Sequence, residues 1–331
     1  MKKRILSGMR PTGSLHIGHL AGALKNWVKL QDEYECYFMI ADWHALMSEY
    51  EDPKKISEYT TEIMLDWLSC GLDMNKSTLF VQSHIPEHLE LYIVFSLLTP
   101  LGWLERNPTY KEQLREIKGR DLTTYAFLGY PVLQAADIAL YKANAVPVGA
   151  DQLPHLELTR ETIRRFHSLY GKNVFPEPEA LLTDTPKLLG IDNRKMSKSY
   201  DNFIAISESP EEIKRKVEKM ITDPERIKLS DKGHPSRCTI FSYYKVFASD
   251  SQVKEIEQYC TGGHKGCTEC KKAMAELLIE YLRPIREKRK WLKEKFDERV
   301  ISPWKECSKR AHAEAKKTIG ELKKILHIYE I

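Results

Sequence analysis

Residues 3 to 170 alternate short apolar runs with stretches of helical periodicity, and that alternation leaves few folds open. Strands separated by segments long enough to cross over as helices run parallel, so the pattern predicts an α/β fold, a Rossmann-like doubly wound parallel sheet. Ile5-Leu6 ends a first strand, Cys36 to Ile40 and Leu79 to Val81 read as buried strands, and Ala145 to Val148 as a further short one. Between them Ile56, Tyr59, Ile63, Met64, Trp67 and Leu68 recur at helical spacing, and Gly71 stands where a C-cap glycine belongs. Pro131 suits the first turn of a helix running towards Tyr141, because a first-turn residue needs no N–H; Gln152 to Tyr170 reads as another helix.

From Ser207 the pattern is helical only. It opens with Ser209-Pro210-Glu211-Glu212, which has capping-box spacing and proline at the first helical position. A boundary near residue 206 follows. The expected organisation is a nucleotide-binding domain over 1–206, with a helical insertion at about 83–128, and a C-terminal all-helical domain over 207–331.

A chain of 331 residues, 42% hydrophobic and 30% charged, can bury a substantial core. It has no apolar run near the ~20 residues of a membrane span and no secretory apolar region after Met1, so the expectation is a soluble, cytoplasmic protein with no membrane partner. The net charge of +4 is uneven: Lys265 to Ile331 holds 18 Lys and Arg against 11 Asp and Glu, against 33 and 36 upstream. Such a basic segment either binds a polyanion by releasing its counterions or forms solvated helix faces. Of the seven cysteines, Cys36, Cys70 and Cys307 are isolated and read as ordinary buried thiols, whereas Cys238, Cys260, Cys267 and Cys270 crowd into one stretch, which points to ligands.

Two motifs carry phosphate chemistry. Thr12-Gly13-Ser14-Leu15-His16-Ile17-Gly18-His19 follows the first strand and opens a helix, the position where doubly wound sheets meet their ligands. Imidazoles at a helix N-terminus donate to phosphate, and Gly18 permits close approach of a nucleotide. Lys195-Met196-Ser197-Lys198-Ser199 places two ammonium groups three residues apart in a polar stretch after Gly190, suited to charge that develops on a leaving pyrophosphate.

The pair, in this order at the two ends of one α/β region, resembles the signature of class I aminoacyl-tRNA synthetases. The segments Ser7-Gly8-Met9-Arg10-Pro11-Thr12-Gly13, Ala41-Asp42-Trp43-His44-Ala45, Tyr130 to Asp137 and Val146 to Gln152 are similar to tryptophanyl-tRNA synthetases over residues 5 to about 205, and more loosely beyond. The resemblance implies a ligase that activates tryptophan with ATP and Mg²⁺ to tryptophanyl-adenylate, then charges tRNA(Trp). It implies catalysis by His16, His19, Lys195 and Lys198, and ATP contacts from Arg10, Thr12, Gly18, Gly149, Asp151, Met196 and Ser197. It places tryptophan among Leu6, Gly8, His44, Tyr130, Gln134, Asp137, Val146, Val148 and Gln152, with Lys111 as a further cation for the triphosphate. It also implies a homodimer, and a C-terminal helical domain that grips the anticodon.

Tyr130, Gln134 and Asp137 recur one helical turn apart, so they project towards one face, and a carboxylate there offers an acceptor to the one polar group of an indole. Tyrosyl enzymes carry a similar tyrosine, glutamine and aspartate, which keeps tyrosine as the alternative substrate and a catalytically silent tRNA-binding paralogue as another. The four clustered cysteines leave gaps of twenty-one, six and two residues. Structural zinc usually presents two close pairs, so the spacing leaves zinc open but suits an iron–sulfur cluster better. One branch of tryptophanyl-tRNA synthetases has a similar pattern, and the resemblance implies a [4Fe–4S] cluster.

Overall fold

The computed structural model describes residues 2–116, 120–182, 188–194, 196 and 200–329. Five strands, β1 (Arg4–Met9), β2 (Glu35–Ile40), β3 (Ser77–Val81), β4 (Ala145–Val148) and β5 (Glu179–Leu182), form one sheet in the order β3-β2-β1-β4-β5 with every pairing parallel. The doubly wound expectation therefore holds. The first strand runs on to Met9, past Leu6 where the apolar run stops, because β2 supplies ladder partners as far as Met9↔Ile40.

On its other side β1 pairs with β4 only at Ile5↔Ala145. Pro147 brings no N–H to a ladder, and the Ser7 hydroxyl instead donates to its carbonyl at 3.4 Å. The two strands are thus least bound together at their carboxyl ends, where the strand order reverses. In doubly wound sheets that reversal is where ligands bind.

The first half of the chain supplies α1 (Ile17–His19), α2 (Lys25–Glu33), α3 (Asp42–Glu49), α4 (Ile56–Ser69), α5 (Glu87–Leu98), α6 (Leu101–Arg106), α7 (Pro108–Glu116), α8 (Tyr125–Leu140) and α9 (Leu153–Tyr170). Helix α4 ends as its apolar period does, and Gly71 takes φ +111°, a conformation that excludes side chains with Cβ. Helix α8 corrects an expectation. It starts at Tyr125, where the Thr124 side chain accepts the Phe127 N–H at 3.2 Å, so Pro131 lies in the helix interior. The cap sets the start, and dense burial from Phe127 to Leu140 outweighs the one backbone bond that Pro131 removes.

Beyond residue 207 come α10 (Pro210–Lys219), α11 (Thr239–Phe247), α12 (Asp250–Gly262), α13 (Cys267–Glu294) and α14 (Ser302–Ile325). Ser209 caps α10 by accepting the Glu212 N–H at 3.2 Å. These helices share one apolar core with the sheet: Ile240, Met274, Leu278, Leu282 and Trp304 belong to the same buried cluster as Ile5, Phe38 and Trp67. Trp27 stacks on Phe38 and meets Trp67 edge-on, and Trp67 in turn stacks on Trp304 with centroids 6.2 Å apart. Truncating Trp67, which is fully buried at this junction, to alanine would cost about 3–5 kcal/mol.

Helix α14 returns to pack on β3, α5 and α8, and Arg289 of α13 pairs with Asp66 of α4 at 2.7 Å and with Glu62. Among the described residues, no helix is long and apolar enough to cross a membrane.

Candidate active site

The turn after β1 is built by backbone bonds to a distant segment. Ile17 N–H donates to Ile204 O at 3.0 Å, Ile206 N–H donates to Leu15 O at 2.9 Å, and His16 bridges to Ala205 antiparallel. Asp66 accepts the Leu15 N–H from below; its carboxyl is pushed up to about 6, by burial first, with Arg289 opposing. Above this clip His16 adopts an extended conformation and caps α1. Its N–H donates to His19 Nδ1 at 3.1 Å, and the two rings lie 3.7 Å apart.

A Cβ on Gly18 would sit 2.8 Å from His16 Nδ1 and 3.4 Å from Met196 Sδ, so glycine is what allows both imidazoles and Met196 to share this space. Lys195, Ser197, Lys198 and Ser199 lie outside the described residues. Their flanks do not: Met196 is buried, and Gly190, Arg194 and Asn202 close a stem around Asp192, which accepts from Asn202 Nδ2 at 2.7 Å and Arg194 N at 3.1 Å. The stem and the Ile204 to Ile206 clip bring Met196 to the turn that carries the two histidines. Thr12 closes a tight turn on Arg10 O at 2.9 Å, and the exposed Arg10 guanidinium faces Tyr130 and Glu49.

On α8, Asp137 is 1% exposed and bonded on both oxygens. Oδ1 accepts from Gln82 Nε2 at 2.8 Å and from His88 Nδ1 at 2.6 Å, while Oδ2 meets His44 Nε2 at 2.8 Å. Burial alone would raise its pKa; His88 and the bond from His44 overcome that and hold the carboxyl down at about 2. A carboxylate offers about four lone-pair sites. Three are taken, so one on Oδ2 remains.

Leu6 and Val146 are buried, Val148 is half-buried, and Gly8, at the open end of β1, could carry no Cβ without meeting Met39 O at 2.7 Å. Gln134 is half-buried.

Tyr130 heads a second chain of bonds. Its hydroxyl lies 2.8 Å from His155 Nε2, and His155 Nδ1 lies 3.1 Å from Asn107 Nδ2. Burial drives His155 down to about 4, so the ring is neutral. Since the Asn107 amide donates to Nδ1, the proton sits on Nε2 and is given to the Tyr130 oxygen, which leaves the phenolic O–H to donate elsewhere. Asn107 Oδ1 accepts the Thr109 N–H, and Thr109 Oγ1 donates to Asp151 O at 3.1 Å, tying α7 to the loop after β4.

In that loop Asp151 is exposed and accepts from Gln152 Nε2 at 2.9 Å. Gly149 approaches it so closely that a Cβ would lie 2.6 Å from Oδ1. The residue that precedes α9 is Gln152, so Asp151 does not spend its carboxylate as a helix cap. Lys111 is exposed on the first turn of α7. Sequence reading missed Gln82, His88, Asn107 and His155; single polar letters inside apolar helices carry no motif.

The four cysteines converge. Burial first, and then the neighbouring thiols of the group, push up Cys238, Cys260 and Cys270, the last to about 12. Cys260 Sγ lies where a Cβ on Gly233 would come within 2.4 Å, so glycine makes room for it. Among the described residues, no three His, Cys, Asp or Glu side chains stand in metal-coordinating geometry. Cys307, on α14, is buried against Arg310 at 3.0 Å.

A 3-2-1-4-5 sheet carrying paired histidines after its first strand and a buried acid across the switch point defines a class I tRNA synthetase, and residues 1–283 match the family described as tRNA synthetases class I (W and Y). The chain belongs to that family.

Within it, this chain is similar over nearly its whole length to ligases for tryptophan. The tryptophan–tRNA ligase of Thermotoga maritima is 48% identical over 98% of this chain and 99% of its own length; that of Aquifex aeolicus is 44% identical over 98% and 100%. Among solved structures, tryptophanyl-tRNA synthetase from Campylobacter jejuni, complexed with ADP and tryptophan, superposes with a TM-score of 0.89 at 32% identity, over 98% of this chain and 100% of that one. The activity is therefore that of a tryptophan–tRNA ligase, a class I aminoacyl-tRNA synthetase.

Proposed function

We propose that tryptophan is read in a crevice at the strand-order reversal by Asp137, which accepts the indole N–H on the remaining lone pair of Oδ2, between walls formed by Leu6, Val146 and Val148, with Gly8, His44, Tyr130, Gln134 and Gln152 around it. The observation that carries this is a buried carboxylate kept ionised and already satisfied at three of its four sites. An aromatic amino acid without a donor would leave that fourth site unpaired, and sites of this kind discriminate by roughly 10⁴-fold or more.

The tryptophan carboxylate then attacks the α-phosphorus of ATP, supplied as its Mg²⁺ complex. His16 and His19 donate to phosphate oxygens from the turn after β1, and Lys195 and Lys198 meet charge on the departing pyrophosphate. Arg10, Thr12, Gly18, Met196 and Ser197 complete the nucleotide cradle, while Gly149 and Asp151 take the ribose side. No enzyme nucleophile is needed. Aminoacyl transfer to the terminal ribose of tRNA(Trp), at its 2′-hydroxyl, completes the cycle, with residues 207–331 as the anticodon-binding domain and the cytoplasm as its setting.

The four thiols of Cys238, Cys260, Cys267 and Cys270, carried at the start of α11, on α12 and at the start of α13, suit a [4Fe–4S] cluster by donor chemistry: soft sulfur ligands, four in number. Such a group would tie these helices to one another. A homodimer is supported by the stripe Ile93, Leu97 and Leu101 along and just past α5, which is 60%, 76% and 59% exposed, since an apolar face of that kind normally meets a partner.

Amino-acid-dependent exchange of pyrophosphate into ATP tests the reading. Tryptophan is expected to support exchange. Exchange with tyrosine instead, or with neither, overturns it.

A further inference from the structure

The side chains that hold Asp137 are themselves ordered in a second layer. His88 is fully buried, donates from Nδ1 to Asp137 Oδ1 at 2.6 Å, and has Nε2 at 3.0 Å from the Tyr141 hydroxyl. Tyr141 is fixed in turn, stacked on Tyr37 with centroids 4.7 Å apart and packed against Phe80 at 5.2 Å. Burial keeps the Tyr141 phenol protonated well above neutral pH, and its hydroxyl shares a hydrogen bond with Nε2 that fixes the plane of the His88 ring. Gln82, also fully buried, places its Nε2 on the same carboxylate oxygen at 2.8 Å.

We propose that His88, locked by Tyr141 and assisted by Gln82, is a positioning residue for substrate selection: by saturating Oδ1 it turns Oδ2 to the crevice as the single acceptor for the indole N–H. The inference rests on the reading of Asp137 given above. An acceptor that is free to rotate accommodates ligands with or without a well-placed donor. One held by two donors on its far oxygen rewards only the donor that arrives along Oδ2, which is how a second layer of hydrogen bonds converts affinity into discrimination. His88 itself does not touch tryptophan in this scheme.

The test compares tryptophan with its benzothiophene isostere, in which sulfur replaces the indole N–H, by kcat/KM in pyrophosphate exchange with the full-length protein. Wild type is expected to prefer tryptophan; a ratio near one in wild type overturns the Asp137 reading and this inference with it. His88→Leu is expected to lower the ratio by about 10- to 100-fold, the loss of one charge-assisted bond, while the KM for ATP stays within about twofold. His88→Asn places an amide N–H where Nδ1 was and is expected to restore most of the ratio. A wild-type ratio retained in His88→Leu, or equal losses in the Leu and Asn variants, overturns the positioning role alone. If His88→Leu does not fold, Tyr141→Phe decides: it keeps the packing on Tyr37 and Phe80, and is expected to lower the ratio by about three- to tenfold. An unchanged ratio there overturns the proposal.

Discussion

Around Asp137 three donors meet one carboxylate, whereas around Cys260 the thiols meet one another. In the first group opposite characters complement: His44, His88 and Gln82 stabilise the anion, and its pKa falls to about 2 although burial opposes this. In the second, burial and like neighbours act in the same direction, and Cys270 is driven up to about 12. A cluster of the first kind is complete with protein alone. A cluster of the second kind gains most from a cationic centre that binds thiolates and reverses the shift.

The largest expected effect comes from breaking the first group at its centre. Asp137→Ala strands three donors and removes the proposed indole acceptor, and should lower kcat/KM for tryptophan in pyrophosphate exchange by roughly 10²- to 10⁴-fold. Next is the phosphate turn: His19→Ala removes the acceptor of the His16 N–H and the donor proposed to meet developing charge, and should cost about 10²–10³ in kcat with little change in KM for tryptophan.

The second group is sharpened by Cys270→Ser. If a cluster is held there, iron and labile sulfide per chain should drop sharply, and tRNA charging should fall more than tryptophan-dependent exchange. Wild-type protein that lacks both elements yet charges tRNA normally sinks the cluster reading.

The smallest effect concerns the chain behind Tyr130. His155 is held at about 4 against an ordinary 6.5, so the unfolded chain binds more protons between those values. Its contribution is present above pH 6.5 and is lost as pH falls to 4, roughly 3 kcal/mol in all. His155→Gln should flatten that part of the stability-versus-pH curve in urea melts, and an unaltered curve would remove the assignment.

How much of this was legible beforehand differs between elements. The doubly wound class, the strands at Cys36 to Ile40 and Ala145 to Val148, and the Ser209 cap follow from local rules of periodicity and capping, which act within a few residues. Pro131 misled for the same reason: the first-turn preference is local, while its tolerance inside α8 comes from burial on many sides. The motif histidines and Asp137 were visible through resemblance and helical spacing. His88 and Gln82 were not, because the loop and helix after β3 reach Asp137 of α8 only once the sheet is assembled.

Sequence alone determined the order of strands and helices, the paired histidines after the first strand and the crowding of four thiols, because each is a property of neighbours along the chain. Tertiary structure decided the rest. The β1–β4 opening, the clip that ties Leu15 and Ile17 to Ile204 and Ile206, the single apolar core shared by α13, α14 and the sheet, and the three donors on Asp137 all join residues tens to hundreds of positions apart. Such contacts form only when buried polar groups find partners that the fold, not the local sequence, brings within reach.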